Sequence, residues 1–239
     1  MRLFSCLPKW MTARPHTGRS PARKPTPRFR PQLEAFEDRC LPSTLTVTSP
    51  KDHGPGTLRA EIAAANTNDV IVFSRKLDGQ TITLTSGELD ITKSLMIQGP
   101  GAGQLTISGG GNTRVFEVAL NTTVTLSGLT ISNGLGVVAS HFVNPNNPLD
   151  GYGGGILNQG TLTVSRCTLS DNFTNYGGGI YNTGTLAVTG CTVSGNHAEY
   201  RGGGILNDGT LTVSNSVFSM NTPDNIYGLY TNGGGNTFN

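Results

Sequence analysis

Three stretches of this chain nearly superimpose: GGGILNQGTLTVSRCTLSDN at 153–172, GGGIYNTGTLAVTGCTVSGN at 177–196 and GGGILNDGTLTVSNSVFSMN at 202–221. Their starts lie 24 and then 25 residues apart. Repeats of this length mean a solenoid, a propeller or a helical array, which narrows the fold more than any other feature. A partial copy, VTLSGLTISNG at 124–134, aligns with LTVSRCTLSDN once 135–150 is treated as an insertion. Upstream, LMIQG (95–99) and LTISG (105–109) repeat the strand-then-glycine theme.

Each copy divides into three short strands, at 156–158, 161–165 and 167–170. Alternation sends Leu162 and Val164 to one face and Thr161 and Thr163 to the other, with Cys167 and Leu169 the next inward pair. Glycines 153–155, Asn158, Gly160 and Asn172 are the predicted corners, since Gly accepts positive φ and Asn tolerates it. Three strands and three corners per repeat make one coil of a triangular solenoid. The repeats hold no helix-length segment, which excludes leucine-rich, ankyrin and tetratricopeptide arrays, and a propeller blade needs roughly 40 residues. The expected fold is therefore all-β, a right-handed parallel β-helix of about eight coils of roughly 24 residues spanning 45–239.

Stacked coils lie about 4.8 Å apart, so equivalent positions become columns. Ile156, Ile180 and Ile205 form one aliphatic column, and Leu162, Leu186 and Leu211 another. Asn158, Asn182 and Asn207 form a column of amides that can bond from coil to coil, as do Asn172, Asn196 and Asn221. A lone coil cannot bury its apolar face, so neighbours must supply the stability. Cys167 and Cys191, continued by Ser216, read as small core residues rather than a disulfide or metal pair.

Composition agrees: 33 glycines and only 13% charged residues suit repetitive β-structure with tight corners. The net charge of +2 hides an asymmetry. Residues 1–44 hold nine Lys/Arg against three acids (+6), and 45–239 hold eight against twelve (−4). The body lacks the clustered cations that nucleic acid requires. No apolar run is long enough for a membrane-spanning helix, and no apolar run of signal-peptide type follows Met1–Arg14. Four cysteines, Cys6, Cys40, Cys167 and Cys191, match neither a disulfide scaffold nor a zinc spacing and leave the redox compartment open.

Residues 12–32, rich in Pro, Arg and Lys, cannot fold alone, so 1–44 reads as a disordered basic leader. Near its end, Leu33, Phe36, Cys40 and Leu41 fall at i, i+3, i+7 and i+8, one face of a short helix that Pro42 ends. This LEAFEDRCLPS stretch resembles the LE-x-LE-x-R-x-L element of predicted exported proteins of planctomycete bacteria, and the resemblance implies export. The GGGI segments, with Leu169–Asn172, Val193–Asn196 and Phe218–Asn221 reading L/V/F-x-x-N, resemble the GGA[ILV]…FxxN repeats of chlamydial-type polymorphic outer-membrane proteins. Here Gly replaces the Ala, and only Phe218 supplies the aromatic. Since 18 residues follow Asn221, a self-encoded secretion barrel is not expected.

The body opens with a strand at 45–48 and a helix at 57–66, whose Leu58, Ile62 and Ala65 share one face. The passage resembles the SLR-x-AI-x-x-AN opening of bacterial surface β-helix proteins, without the Cys that precedes the Leu-Arg pair. An amphipathic helix there is expected to cap the open end of the stack, whose free strand edge invites pairing.

β-Helices include pectate lyases and polygalacturonases, which build catalytic sites on one face from stacked carboxylates. Among the repeats the acids do not stack: Asp171 aligns with Gly195 and Met220, and Asp208 with Thr183 and Gln159. Glu88 and Asp90, spaced to share a strand face, and Asp150 are the remaining carboxylate candidates for a polysaccharide lyase or hydrolase. No catalytic site, cofactor or metal is expected. His16, His53, His141 and His197 lack ligand spacing, and GPGAG (99–103) lies between strands and reads as a turn rather than a phosphate loop. One column could meet a ligand. Tyr152, Tyr176 and Tyr200 recur every 24 residues, with Tyr227 as a fourth, and either stack on sugar rings or stack on one another. The sequence points to an exported cell-surface or extracellular structural or adhesion module, with surface polysaccharide or other surface proteins as partners. A non-catalytic carbohydrate-binding module is the further alternative.

Overall fold

The structure, a computed structural model, describes residues 42–136 and 150–239. The short helix read at 33–41 lies outside them, as do His16, His141 and most of the insertion at 135–150.

The described residues wind into a right-handed parallel β-helix with three faces. Face A stacks eight strands: Thr44–Val47, Val70–Phe73, Leu95–Gln98, Thr123–Ser127, Thr161–Ser165, Thr185–Thr189, Thr210–Ser214 and Thr231–Asn232. Face B stacks seven: Gln80–Thr83, Leu105–Ser108, Thr130–Ser132, Thr168–Ser170, Thr192–Ser194, Val217–Ser219 and Thr237–Phe238. Face C stacks six: Leu89–Ile91, Phe116–Val118, Ile156–Asn158, Ile180–Asn182, Ile205–Asn207 and Ile226–Tyr227. Every ladder is parallel, because each strand pairs with its counterpart one coil away. Ile156 pairs with Ile180 and Ile180 with Ile205, while Leu162, Leu186 and Leu211 do the same on face A.

Alternation places the aliphatic residues inside. Columns such as Val124–Leu162–Leu186–Leu211 and Ile107–Ile131–Leu169–Val193–Phe218 are almost wholly buried and form one continuous core. Cys167 and Cys191 sit in it as free thiols, and burial pushes the Cys167 thiol up to about 12.

Two features depart from the sequence reading. Gly153 has the positive φ expected of a corner, as do Gly177 and Gly202, whereas the non-glycine residues of the first repeat with positive φ are not Asn158 and Asn172 but Arg166 and Asp171, in line with Gly190 and Asn215 and with Gly195 and Met220. Asn158 and Asn172 instead point inward and are buried, because an amide there can bond along the axis of the stack. Each of two coils also carries a fourth strand between faces B and C, Phe173–Tyr176 and His197–Arg201.

The glycine triplets at 177–179 and 202–204 follow these fourth strands, and the triplet at 153–155 follows the insertion. A Cβ on Gly154 would lie 2.6 Å from the carbonyl oxygens of Gly178 and Phe173, so no side chain fits where adjacent coils meet this closely.

Helix α1, Leu58–Ala64, is capped by Thr57, whose hydroxyl accepts from the Ala60 amide. It buries Leu58 and Ile62 against the core and lies beside Leu89–Ile91, the outermost strand of face C. Arg59 donates to the carbonyls of Gly87 and Glu88, and Lys93 donates to those of Ala63 and Ala65 at the helix C-terminus.

Candidate functional site

Face C carries the chemistry on its outer side. Its three-residue strands turn their first and last residues inward, so the middle residues form an outward column: Asp90, Glu117, Leu157, Tyr181, Leu206 and Tyr227, each paired with the next. The column is acidic at its first two rungs and apolar or aromatic thereafter.

At the acidic end, Glu88 precedes its strand by one residue and shares the outer side with Asp90. The carboxylates of Glu88, Asp90 and Glu117 lie within 4.8 Å of one another, and Glu88 and Glu117 share the Arg114 guanidinium. Arg114 is buried, and its Nη1 donates to Glu88 at 2.6 Å and to Glu117 at 2.9 Å. Its Nε donates to the carbonyls of Tyr152 and Gly153 at 3.2 and 3.0 Å, tying the cluster to the corner where the repeats begin. Burial pushes the Glu88 carboxyl up to about 7; Arg114 pulls it down, while the charges of Glu117 and Asp90 push it further up. A carboxyl that titrates near neutrality can take or give a proton at working pH, a property common at functional sites and also found in structural ion-pair networks.

Of the sequence candidates, Glu88 and Asp90 enter this cluster, and Asp150 is not one of its three carboxylates. Glu117 and Arg114 were missed. The acids of the three repeats do not stack, but two coils earlier LDI (89–91) and FEV (116–118) place Asp90 directly against Glu117. The matching apolar–acid–apolar triplets were a usable signal. Arg114, outside any strand, gave none.

Beside the rest of the column, Tyr152 and, on the fourth strands, Tyr176 and Tyr200 stack with ring centroids 4.9 and 5.0 Å apart. Tyr152 and Tyr176 cover Leu157, Tyr181 and Leu206, forming a second, smaller apolar cluster outside the solenoid. Tyr152 also meets the Tyr181 ring at 4.6 Å, and the Tyr181 hydroxyl donates to Asp208. Burial and that carboxylate raise the Tyr181 phenol well above its ordinary value. Rings in a stack turn their faces to each other, so a sugar ring meets mainly edges here. Tyr227 is no fourth rung: it continues the face C column below Leu206, and the Arg201 guanidinium lies over its ring at 4.7 Å.

The remaining candidates disperse. His197 stacks on Phe173 with rings 5.1 Å apart, and His53 is exposed. The 99–103 segment is a turn, held by a Gly101 amide bond to the Gly128 carbonyl. Both ends of the insertion rest on one strand, Leu135 against Phe173 and Tyr152 against Tyr176.

No protein-family model matches the chain, and no curated protein matches it. Among solved structures, it is similar to the 1.7 Å crystal structure of jun a 1, the major allergen from cedar pollen, with a TM-score of 0.52 and 19% identity. The similarity covers 79% of this chain and 54% of that one, so the chain matches about half the allergen's length. At this identity the likeness is one of fold.

Proposed function

We propose that this chain is an exported, non-catalytic β-helix of the cell surface or extracellular space, structural or adhesive in role. The observation that carries this reading is the self-occupied outer side of face C. Tyr176 stacks between Tyr152 and Tyr200, Tyr152 also meets Tyr181, and Glu88 and Glu117 beside them are clamped on Arg114. Such a surface stiffens a rod more readily than it grips a sugar. The likeness of the GGGI…N repeats to polymorphic outer-membrane proteins supports a surface role, and the LEAFEDRC element supports export on sequence grounds alone. Surface polysaccharide or other surface proteins are the proposed partners, engaged without turnover.

A second reading is a polysaccharide lyase or hydrolase. What favours it is Glu88, with its carboxyl pushed up to about 7 beside Glu117 and Arg114 on one solenoid face. A carbohydrate-binding module without turnover would use the ring edges and the exposed Tyr200.

Incubation of the purified protein with pectin, alginate and neutral glycans, with and without Ca²⁺, separates the first two readings. The expected result is no new reducing or unsaturated ends. Ends that accumulate with the native protein and vanish with E88Q/E117Q would replace the proposal with the second reading. Fractionation of the native cells is expected to place the protein in the envelope or the medium; recovery in the cytosol counts against the surface role.

A further inference from the structure

Three carboxylates crowd the outer side of a strand pair whose inner side, Leu89, Ile91, Phe116 and Val118, is buried in the core. Leu89–Ile91 is the outermost strand of face C and pairs with Phe116–Val118 alone, through three residue pairs. Across that pair Asp90 faces Glu117, and Glu88 joins them within 4.8 Å. Arg114 bonds to Glu88 and Glu117, so full ionisation sets three negative charges on a half-buried site against that guanidinium. Like charges this close, two of them half-buried, disfavour the fully ionised state, and the relief nearest to hand is a proton shared between the two half-buried carboxyls.

We propose that the Glu88–Glu117 pair is a proton-operated clasp, which fastens the first strand of face C and helix α1 to the solenoid while it holds a proton and loosens them when the proton leaves. The two parts move together, because Arg59 of α1 bonds to the carbonyls of Gly87 and Glu88, and Lys93 beyond the strand bonds to those of Ala63 and Ala65. The charged groups around the clasp are Asp90 from face C, Arg114 from the segment before Phe116–Val118, and Arg59 with its partner Asp52 from the α1 side. Asp150 lies two residues before Tyr152, whose carbonyl Arg114 holds. Asp52 is held below its ordinary value, so it stays ionised throughout the range in which Glu88 titrates. The sign is unusual for a carboxylate. A folded-state value raised from 4.5 to about 7 gives stability that is complete below 4.5 and lost as pH rises through 7.

Hydrogen exchange of the full chain, read by mass spectrometry at pH 5.5 and 8 and corrected for intrinsic rates, tests the clasp. Peptides spanning 58–66 and 87–92 should open roughly thirtyfold more at the higher pH, while 180–189 stays unchanged, one pKa unit being a factor of ten and the proton leaving about 1.5 units above the lower pH. E88Q should remove the pH dependence. E117Q, which removes one repelling charge, should move the transition to lower pH and serves if E88Q folds poorly. Equal protection of 87–92 at both pH values, or the same dependence in E88Q, overturns the proposal.

Discussion

Asn182 shows what a single side chain does in a stack. Its Nδ2 lies within reach of the Gly184 and Thr210 carbonyls and of Asn207 Oδ1, and its Oδ1 accepts from Asn158 Nδ2 at 2.6 Å. It is fully buried, so every lost bond leaves a group that water cannot reach. Asn182→Ala should cost about 2–4 kcal/mol, measured by equilibrium denaturation, since it strands the Asn207 acceptor and opens a cavity. A cost below about 0.5 kcal/mol would mean the amide column is decorative. A ladder of amides that each donate to the next must leave its first acceptor bare. Asn158 Oδ1 is that acceptor, because the rung above it is Val118. The second ladder escapes the cost: Asn172 Oδ1 accepts the Gly134 amide. The columns themselves were legible from the spacing of Asn158, Asn182 and Asn207. Their direction was not, because the preference of Asn for corners and its capacity for axial bonding select the same residue.

Among the elements, helix α1 combines an apolar face with a carboxylate clasp. Asp52 is buried and receives Arg59, the Thr85 and Ser86 amides and the Thr85 hydroxyl. Burial alone would raise its pKa, but these donors together outweigh burial and hold the carboxyl below 3.8. A depressed value gives stability that is present above the ordinary carboxylate range and lost as pH falls through the folded-state value. Asp52→Asn should therefore destabilise the chain by about 1–3 kcal/mol at neutral pH. The gap between variant and native protein should close below pH 3.8, as followed by denaturant titration at several pH values. A gap that persists in acid would mean packing, not charge, holds the helix. The Leu58, Ile62 and Ala65 periodicity revealed this helix in the sequence, but Asp52 gave no sign, since the Thr85 and Ser86 amides that it accepts lie 33 and 34 residues away. The same long range hid Arg114, which bonds to Glu88 and to the carbonyls of Tyr152 and Gly153 across 26, 38 and 39 residues. Periodic elements announce themselves locally; clasps between coils do not.

At the scale of the whole molecule, a coil touches only the coils above and below it, so stability is close to a sum over neighbouring interfaces. Ile180 pairs with Ile156 on one side and Ile205 on the other and is fully buried. Ile226 occupies the same column one coil beyond Ile205, in a two-residue strand, and is only partly buried. The chemistry removed by Ile→Ala is identical at both positions, so any difference in cost measures position in the stack. Ile180→Ala should cost about 2–5 kcal/mol, the range for a cavity in a packed core. Ile226→Ala should cost no more than about 1 kcal/mol, because partial exposure lowers the transfer loss and an end coil can relax around the gap. Amide exchange should follow the same gradient. Exposing 180–182 breaks pairings on two sides, whereas exposing 226–227 breaks the pairing with 205–206. Equal costs for the two substitutions, with uniform protection along the column, would mean that the stack opens as one cooperative body and that distance along its axis carries no energetic meaning.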